Sequence, residues 1–496
     1  MGFAEYAAEI AVRVWDWLMT NLLPVNLVLS IVIVFFRRRD PRAVWTWLLA
    51  LYFIPVFGFL LYLFLEQDYR KSKMFRIKEA EDRVRFPAKN QEEWIRERER
   101  GLSGTLAGEY SGVILYNLET SGSVLTMKNR VEIFTDGEEK FADLRRELSQ
   151  ARHYIHIQYY IIKNDEVFAS LVPILKEKAA EGVEVRILCD GMGGRFIPSS
   201  LWRRLEEAGI RVAIFFPPVL GRLNLRINYR NHRKIVVIDG RVGYVGGFNI
   251  GREYLSKDPR FGYWRDTHLK ISGEAVMGLQ IRFAQDWNYA AGENLFQYGR
   301  YFREKTEDSG PETDWVGVQI ISSGPDTQTR QIRDTYLALI CRARRHIYIQ
   351  TPYFVPDDAV LSALQIAARS GVEVRLMVPC KPDHPFVYWA TYSYVGDLLR
   401  AGVRCYAYEA GFLHAKGITV DGCVSCYGTA NMDIRSFQLN FEVNAILYDE
   451  ETTARLEESF LRDLAHCREI TEREYAGRNV IVRFREQCCR LLSPLL

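Results

Sequence analysis

Two histidines, His232 and His414, each open the same polar pattern, and that pattern is where this chain can do chemistry. The first copy reads NHRKIVVIDGRVGYVGGFNIG and the second LHAKGITVDGCVSCYGTANMD. In both, a lysine follows the histidine by two residues (Lys234, Lys416), an aspartate by seven (Asp239, Asp421) and an asparagine by seventeen (Asn249, Asn431). Residues two apart on a strand share a face, so each imidazole is expected beside an ammonium. Imidazole exchanges protons near neutrality, the ammonium supplies charge, and an asparagine amide can donate to an oxyanion. Gly246, Gly247 and Gly428, just before the asparagines, permit close backbone approach. Two such copies packed about a pseudo-twofold axis would bring two His, two Lys and two Asn into one cleft, a site suited to phosphate.

The elements that must carry these residues are themselves repeated. Residues 153–162 read HYIHIQYYII and residues 346–355 read HIYIQTPYFV; GVEVRIL at 182–188 returns as GVEVRLM at 371–377. These β-branched runs have the length of buried strands, and helical patterns lie between them over Val167–Ala180 and Ala359–Ser370. Strand, helix, strand in both copies predicts an α/β fold of two duplicated lobes with parallel or mixed sheets.

Composition limits the alternatives. A chain of 496 residues exceeds one small core, and 65 Lys+Arg against 62 Asp+Glu leaves a net charge of +3, so no global positive field favours nucleic acid as a partner. Nine cysteines without repeated spacing do not form a disulfide framework and suit a reducing compartment. Cys423 and Cys426 form a lone CxxC without a second ligand pair, which argues against zinc. Near the start, Trp17–Phe36 (20 residues) and Ala43–Leu65 (23 residues) carry no charge, and each is long enough for a membrane helix. The outer flanks carry more basic residues than the loop between them, which, with the free thiols, directs the bulk of the chain to the cytoplasm. The expected organisation is two transmembrane helices over 1–66, a charged linker or helix over 67–112, a first lobe over 113–302, a linker over 303–317, and a second lobe over 318–496 ending in an amphipathic segment.

The duplicated H-x-K-x4-D with its trailing asparagine resembles the signature of the phospholipase D superfamily. The membrane hairpin, RLNLRINYRNHRK before His232, YWRDTHLKISG after the first motif and NMDIRSFQLNFEVN after the second motif all resemble the corresponding segments of bacterial cardiolipin synthases, and the likeness extends over nearly the whole chain. The resemblance implies two phospholipase D-like lobes and a phosphatidyltransferase of the bacterial inner membrane. It would act on phosphatidylglycerol to give cardiolipin and glycerol through a phosphohistidine. His232 would attack phosphorus and His414 serve as acid and base. Lys234, Lys416, Asn249 and Asn431 would neutralise the phosphate oxygens, with no metal or other cofactor. Phosphatidylserine synthesis, hydrolysis by water, a nuclease and a noncatalytic lipid-binding protein are the other readings; the last would normally have lost a motif histidine or lysine.

An attacking imidazole needs a partner on its other nitrogen. Asp266 and Glu442, on the strands after each motif, match the family's orienting carboxylates. Asp239 and Asp421 belong to the catalytic signature, yet their odd spacing from histidine points them to the opposite face, so a structural role is expected. Arg222, Arg226, Arg230 and Arg233, interleaved with Leu223, Leu225, Ile227 and Tyr229, are expected to meet anionic lipid headgroups. Gly191-Met192-Gly193-Gly194 lacks the GK[ST] of a phosphate loop and reads as a flexible cleft rim.

Overall fold

The computed structural model describes residues 106–217, 229–302, 315–327, 329–491 and 493, together with 20–36, 41–54 and a few neighbouring positions. The chain divides into two units, Met1–Glu81 and Asp82–Leu496.

In the first unit, Leu22–Phe36 and Pro41–Phe53 form two helices that pack on each other around buried Ile33 and Leu51. Leu23, Leu27, Ile31, Phe35, Trp45 and Tyr52 are exposed. Backbone bonds from Val25 to Asn21 and from Asn21 to Trp17 continue the first helical path towards the expected start of its span. Among the described residues no helix is long and apolar enough to cross a membrane. The two helices have 15 and 13 residues, shorter than expected, and residues 59–65 of the second apolar stretch lie outside the described residues.

Among its described residues the second unit holds two large sheets with one shared strand order, beside two sheets of two strands each. In the first, the order is Asn129–Phe134, His268–Gly273, Val242–Gly246, Ile235–Ile238, Tyr154–Tyr159, Glu184–Asp190, Arg211–Phe215. In the second it is Gly317–Ser323, Asn440–Tyr448, Val424–Gly428, Gly417–Val420, His346–Gln350, Glu373–Pro379, Arg404–Tyr408, with Leu125–Thr126 and Cys467–Ile470 added at the edges. Each sheet is mixed: its last three strands in these sequences run parallel and the others pair antiparallel. Helices Glu166–Ala180 and Asp358–Arg369 connect parallel strands at matching places, each begun by an aspartate, Asp165 or Asp357, whose carboxylate accepts a first-turn N–H.

Residues 106–126 correct the expected start of the first lobe. Helix Ser111–Ser121 buries Val113, Ile114 and Leu118 in the core of the second sheet, and Leu125–Thr126 pairs with Gly317–Ser323. Asn117 and Gln319 secure this placement: Gln319 donates to the carbonyls of Ile114 (3.0 Å) and Ser123 (2.7 Å). Nothing in an amphipathic helix alone specifies which of two similar sheets it covers. At the other end, Val480–Leu491 packs beside Pro385–Leu399, burying Glu486 and Cys489 and leaving Val480, Ile481, Phe484 and Leu491 exposed.

The glycine run after Glu184–Asp190 is packed into the wall of the lobe. A Cβ at Gly193 would lie 1.7 Å from the Tyr160 carbonyl oxygen, and Asp190 accepts from the Met192 N–H at 2.8 Å. Such contacts are at odds with the expected flexible rim.

Candidate active site

The motif histidines lie in breaks between short strands, where the sequence pattern predicts continuous strand. Arg230–Asn231 pairs in parallel with Asn440–Phe441 of the other lobe, then residues 232–234 leave the ladder, and Ile235–Ile238 joins the first sheet. The second copy repeats this: Gly411–Leu413 pairs with Tyr263–Arg265 of the first lobe before Gly417–Val420 enters its own sheet. The cause is a backbone handover. His232 N–H donates to the Phe441 carbonyl at 2.9 Å and His414 N–H to the Arg265 carbonyl at 2.7 Å. Both histidines are thereby fastened to the residue just before an acid of the opposite lobe.

Those acids are Glu442 and Asp266, and they pair crosswise. His232 Nδ1 lies 3.0 Å from Glu442 Oε2, and His414 Nδ1 lies 2.6 Å from Asp266 Oδ2. Burial alone would raise both carboxyls, but the facing lysines and histidines outweigh it and hold them below the usual carboxylate range. An ionised carboxylate only accepts, so Nδ1 carries the proton in both rings and Nε2 is left as the reactive nitrogen.

Further bonds fix the acids. Thr429 Oγ1 donates to Glu442 Oε2 at 2.6 Å, and the Thr267 N–H donates to Asp266 Oδ1 at 2.8 Å. Gly247 makes room for Asp266, because a Cβ there would fall 1.8 Å from its Oδ1. The glycine of the trailing turn thus admits a protein carboxylate, a use its sequence position alone does not reveal.

The lysines border the same space. Lys234 Nζ donates to the His232 carbonyl at 2.8 Å; Lys416 Nζ donates to the His414 carbonyl at 2.5 Å and stands 2.8 Å from its Nδ1. Burial lowers Lys234 to about 7 and Lys416 to about 8. Burial also lowers both imidazoles, His414 to about 4 with Lys416 adding to the effect, while the carboxylates oppose it. Desolvation is thus the main force against the cationic forms, and a phosphodiester anion bound between the lobes would offset it.

The asparagines are partly engaged. Asn249 Nδ2 donates to Tyr254 Oη at 2.7 Å and its Oδ1 accepts from the Ile161 N–H at 3.1 Å; Asn431 Nδ2 donates to Asp433 Oδ2 at 3.0 Å. Each amide nitrogen has a second hydrogen left for an oxyanion.

Asp239 and Asp421 lie away from this cleft. Asp239 accepts from the N–H groups of Arg152, His153 and Tyr154 at 2.7–2.8 Å, and Asp421 from those of Arg344, Arg345 and His346 at 2.7–2.9 Å. They tie the turn after each motif strand to the start of its neighbour, so the signature aspartates touch no reacting group. Both adopt positive φ, 57° and 55°. Arg230 is buried in the seam, donates to the Tyr229 carbonyl at 2.8 Å and acts electrostatically on Asp190 and Tyr160, beside His232. Arg222 and Arg226 lie outside the described residues.

Other residues that bear on the site were not singled out by the motif. The Tyr160 ring centre stands 5.0 Å from that of His232, and Trp264 stands 5.0 Å from His414. Asp190 accepts from the Asn231 N–H at 2.9 Å, beside His232. Equal placement of these residues around the two motifs is not visible in the repeat, because Tyr160 and Trp264 occupy unrelated positions in it. Among the described residues no group of three or more His, Cys, Asp or Glu converges as a metal site would.

Two lobes of one topology, each lending a carboxylate to the other's histidine beside a lysine, define a two-motif protein of the phospholipase D class. A family model described as "Cardiolipin synthase, PLD-like domain" matches residues 144–287 and 336–464, and one described as "Phospholipase_D-nuclease N-terminal" matches 25–67. The chain belongs to the cardiolipin synthase family of phospholipase D-like enzymes. It is 45% identical over 483 residues to the major cardiolipin synthase ClsA of Bacillus subtilis (strain 168), covering 97% of this chain and 99% of that protein. It is likewise 45% identical over 482 residues to a cardiolipin synthase of Listeria innocua, again covering 97% and 99%. In fold it is similar to the crystal structure of phosphatidylserine synthase from Haemophilus influenzae, with a TM-score of 0.58 at 15% identity, covering 74% of this chain and 95% of the other.

Proposed function

We propose that the protein transfers a phosphatidyl group from one phosphatidylglycerol to the terminal hydroxyl of a second, giving cardiolipin and glycerol. The observation that carries this reading is the crossed pair of histidine–carboxylate contacts, which leaves two Nε2 atoms available beside two lysines. His232 Nε2 attacks phosphorus; the N–P bond forms as the P–O bond to glycerol breaks, and His414 gives its Nε2 proton to the departing oxygen. In the second half, His414 takes the proton of the acceptor hydroxyl while that oxygen attacks phosphorus and releases His232. Lys234, Lys416, Asn249 and Asn431 face the charge on the nonbridging oxygens. Anion binding between the lobes favours protonation of one imidazole, which burial opposes in the free enzyme.

The helices of the first unit, with apolar side chains exposed along both, support insertion of that hairpin in a membrane, and the basic flanks and free cysteines favour the cytoplasmic face for the catalytic lobes. Lipids of that membrane are then the partners, with no role for nucleic acid. The test is turnover of purified full-length protein on phosphatidylglycerol alone. Cardiolipin and glycerol should appear in equal amounts, and enzyme quenched in denaturant at neutral pH should carry the phosphatidyl label on His232. Phosphatidic acid in place of cardiolipin would overturn the transferase reading, and label on His414 would exchange the two histidine roles.

A further inference from the structure

Behind each orienting carboxylate lies a buried layer that the reaction above does not use. In the first lobe, Gln158 Nε2 donates to Asp286 Oδ2 at 2.7 Å, and Arg233 Nη1 donates to both oxygens of Asp286 at 2.6 and 2.7 Å. The Arg233 Nε donates across the seam to the backbone carbonyl of Glu442 at 3.1 Å. In the second lobe, Gln350 Nε2 donates to Asp463 Oδ2 at 2.8 Å, and Arg265 Nε donates to both oxygens of Asp463 at 3.0 and 2.8 Å. Arg265 Nη1 donates to the backbone carbonyl of Asp266, and Nη2 to Ser459 Oγ at 2.9 Å.

The glutamines hold the same place in the repeat, on Tyr154–Tyr159 and His346–Gln350, and the aspartates lie late in helices Val276–Ala291 and Glu450–Leu464. The arginines do not correspond. Arg233 follows His232, where the second copy has Ala415; Arg265 precedes Asp266, where the second copy has Phe441. Each replaces what the other half lacks. The Arg233 guanidinium stands 5.4 Å from the Phe441 ring, and Ala415 packs in a cluster with Phe460 and Leu464, the residues bracketing Asp463. One guanidinium therefore bridges each histidine's lobe to its opposite acid, delivered from different strands of the seam.

We infer that Arg233, held by Asp286 and reaching the Glu442 carbonyl across the seam, and Arg265, paired across it with Asp463, are two inter-lobe clamps, positioning residues that set Glu442 against His232 and Asp266 against His414. This rests on the reading of those histidines as the reacting pair. All four side chains are buried, so each ion pair is shielded from solvent. The planar guanidinium fork satisfies a carboxylate and a backbone carbonyl at once, which an ammonium on a flexible stem does not reproduce. The clamp does not touch substrate. It fixes the backbone of the residue whose carboxylate must meet Nδ1, and small displacements there change the tautomer and the angle of the ring.

The relocated arginine supplies the test. In full-length enzyme, Arg265→Phe should lower kcat about 10–100-fold, the usual loss on removing an outer partner of a functional imidazole. KM for phosphatidylglycerol should change little, and the kcat–pH profile should shift as His414 loses a fixed carboxylate. Adding Ala415→Arg to Arg265→Phe rebuilds the first lobe's arrangement in the second and should recover most of the lost kcat and the parental pH profile. Recovery of melting temperature without recovery of kcat would overturn the clamp as a positioning device, as would a folded Arg265→Phe enzyme with parental kcat. If Arg265→Phe does not fold, Asp463→Asn is read instead: the same kcat loss and profile shift support the clamp, and a parental profile rejects it. His414→Ala, run alongside, separates the two levels. Activity retained there removes the reacting pair itself, whereas an inactive His414→Ala beside a fully active Arg265→Phe removes only the clamp.

Discussion

The two lobes share a strand order, a histidine–lysine motif and a carboxylate at the same place in the fold, yet the surroundings of the two histidines differ. His414 meets the shorter acid at the shorter distance, 2.6 Å, in a pocket walled by Trp264, Tyr254 and Phe412. His232 meets the longer acid at 3.0 Å, where Thr429 competes for the same carboxylate oxygen and Tyr160 is the neighbouring ring. The position of Thr429 is Gly247 in the first copy, where a side chain would collide with Asp266. Duplication supplied symmetry in the backbone, and the side chains around it diverged to make two unlike imidazoles. Two-step transfer asks for that inequality, since one ring must bond to phosphorus while the other moves protons.

The largest effect that could break this comparison comes from the histidines. His232→Ala and His414→Ala should each lower turnover by at least the general acid–base factor of about 10²–10⁴, with folding retained. They should differ in a single turnover: only the variant keeping the nucleophile can accumulate labelled protein. Equal behaviour in quench experiments would mean that the two environments are functionally interchangeable.

A smaller effect separates the crossed acids from the motif aspartates. Asp266→Asn and Glu442→Gln keep shape and remove the charge that stabilises imidazolium, so turnover should fall by up to about 10⁴-fold while the melting temperature moves little. Asp266→Asn should be the more damaging, given its closer contact. Asp239→Asn and Asp421→Asn should do the reverse. Each disturbs a carboxylate serving three backbone N–H groups and should cost about 1–3 kcal/mol of stability with near-parental activity in the folded fraction. Measuring melting temperature and turnover on all four variants decides it; thermally silent but inactive motif aspartates would return them to the reaction.

The smallest effect is a pH dependence. Lys234 and Lys416 are held down to about 7 and about 8 in the free enzyme, so both lose charge as pH rises through that range. kcat/KM, which reports the free enzyme, should fall with rising pH there. A bound phosphodiester keeps the ammonium form favourable, so kcat should fall only at higher pH. The lobe comparison sharpens in the variants: Lys234→Arg should remove the limb near 7 and leave the one near 8.

Much of this was legible in the chain. The seventeen-residue interval from His to Asn and the paired strand runs specify two equivalent lobes, because a buried strand and its polar exit leave a pattern that survives duplication. The odd spacing of Asp239 and Asp421 from histidine does not itself explain their place, because the histidines sit in a break between strands and both aspartates in positive-φ turns just past Ile238 and Val420. Crosswise pairing was not legible, since Glu442 is 210 residues from His232 and spacing cannot tell a partner in the same lobe from one in the other. The pairing of Arg233, which its basic neighbours suggest for lipid headgroups, and of Arg265 was hidden for a related reason. Searching for repeats rewards equal residues at equal places, whereas here equal contacts are made from unequal places.

The crossed acids also impose an order in time. As the chain leaves the ribosome, His232 and Lys234 emerge with the first lobe, but Glu442 follows His232 by 210 residues. At a synthesis rate of about 5–20 residues per second, that interval lasts about 10–40 s. During it, the nascent lobe holds an imidazole with no carboxylate to set its tautomer and no opposing histidine to act as acid. In the proposed two-histidine reaction the nascent first lobe therefore lacks both its orienting acid and its opposing histidine until the second lobe is made.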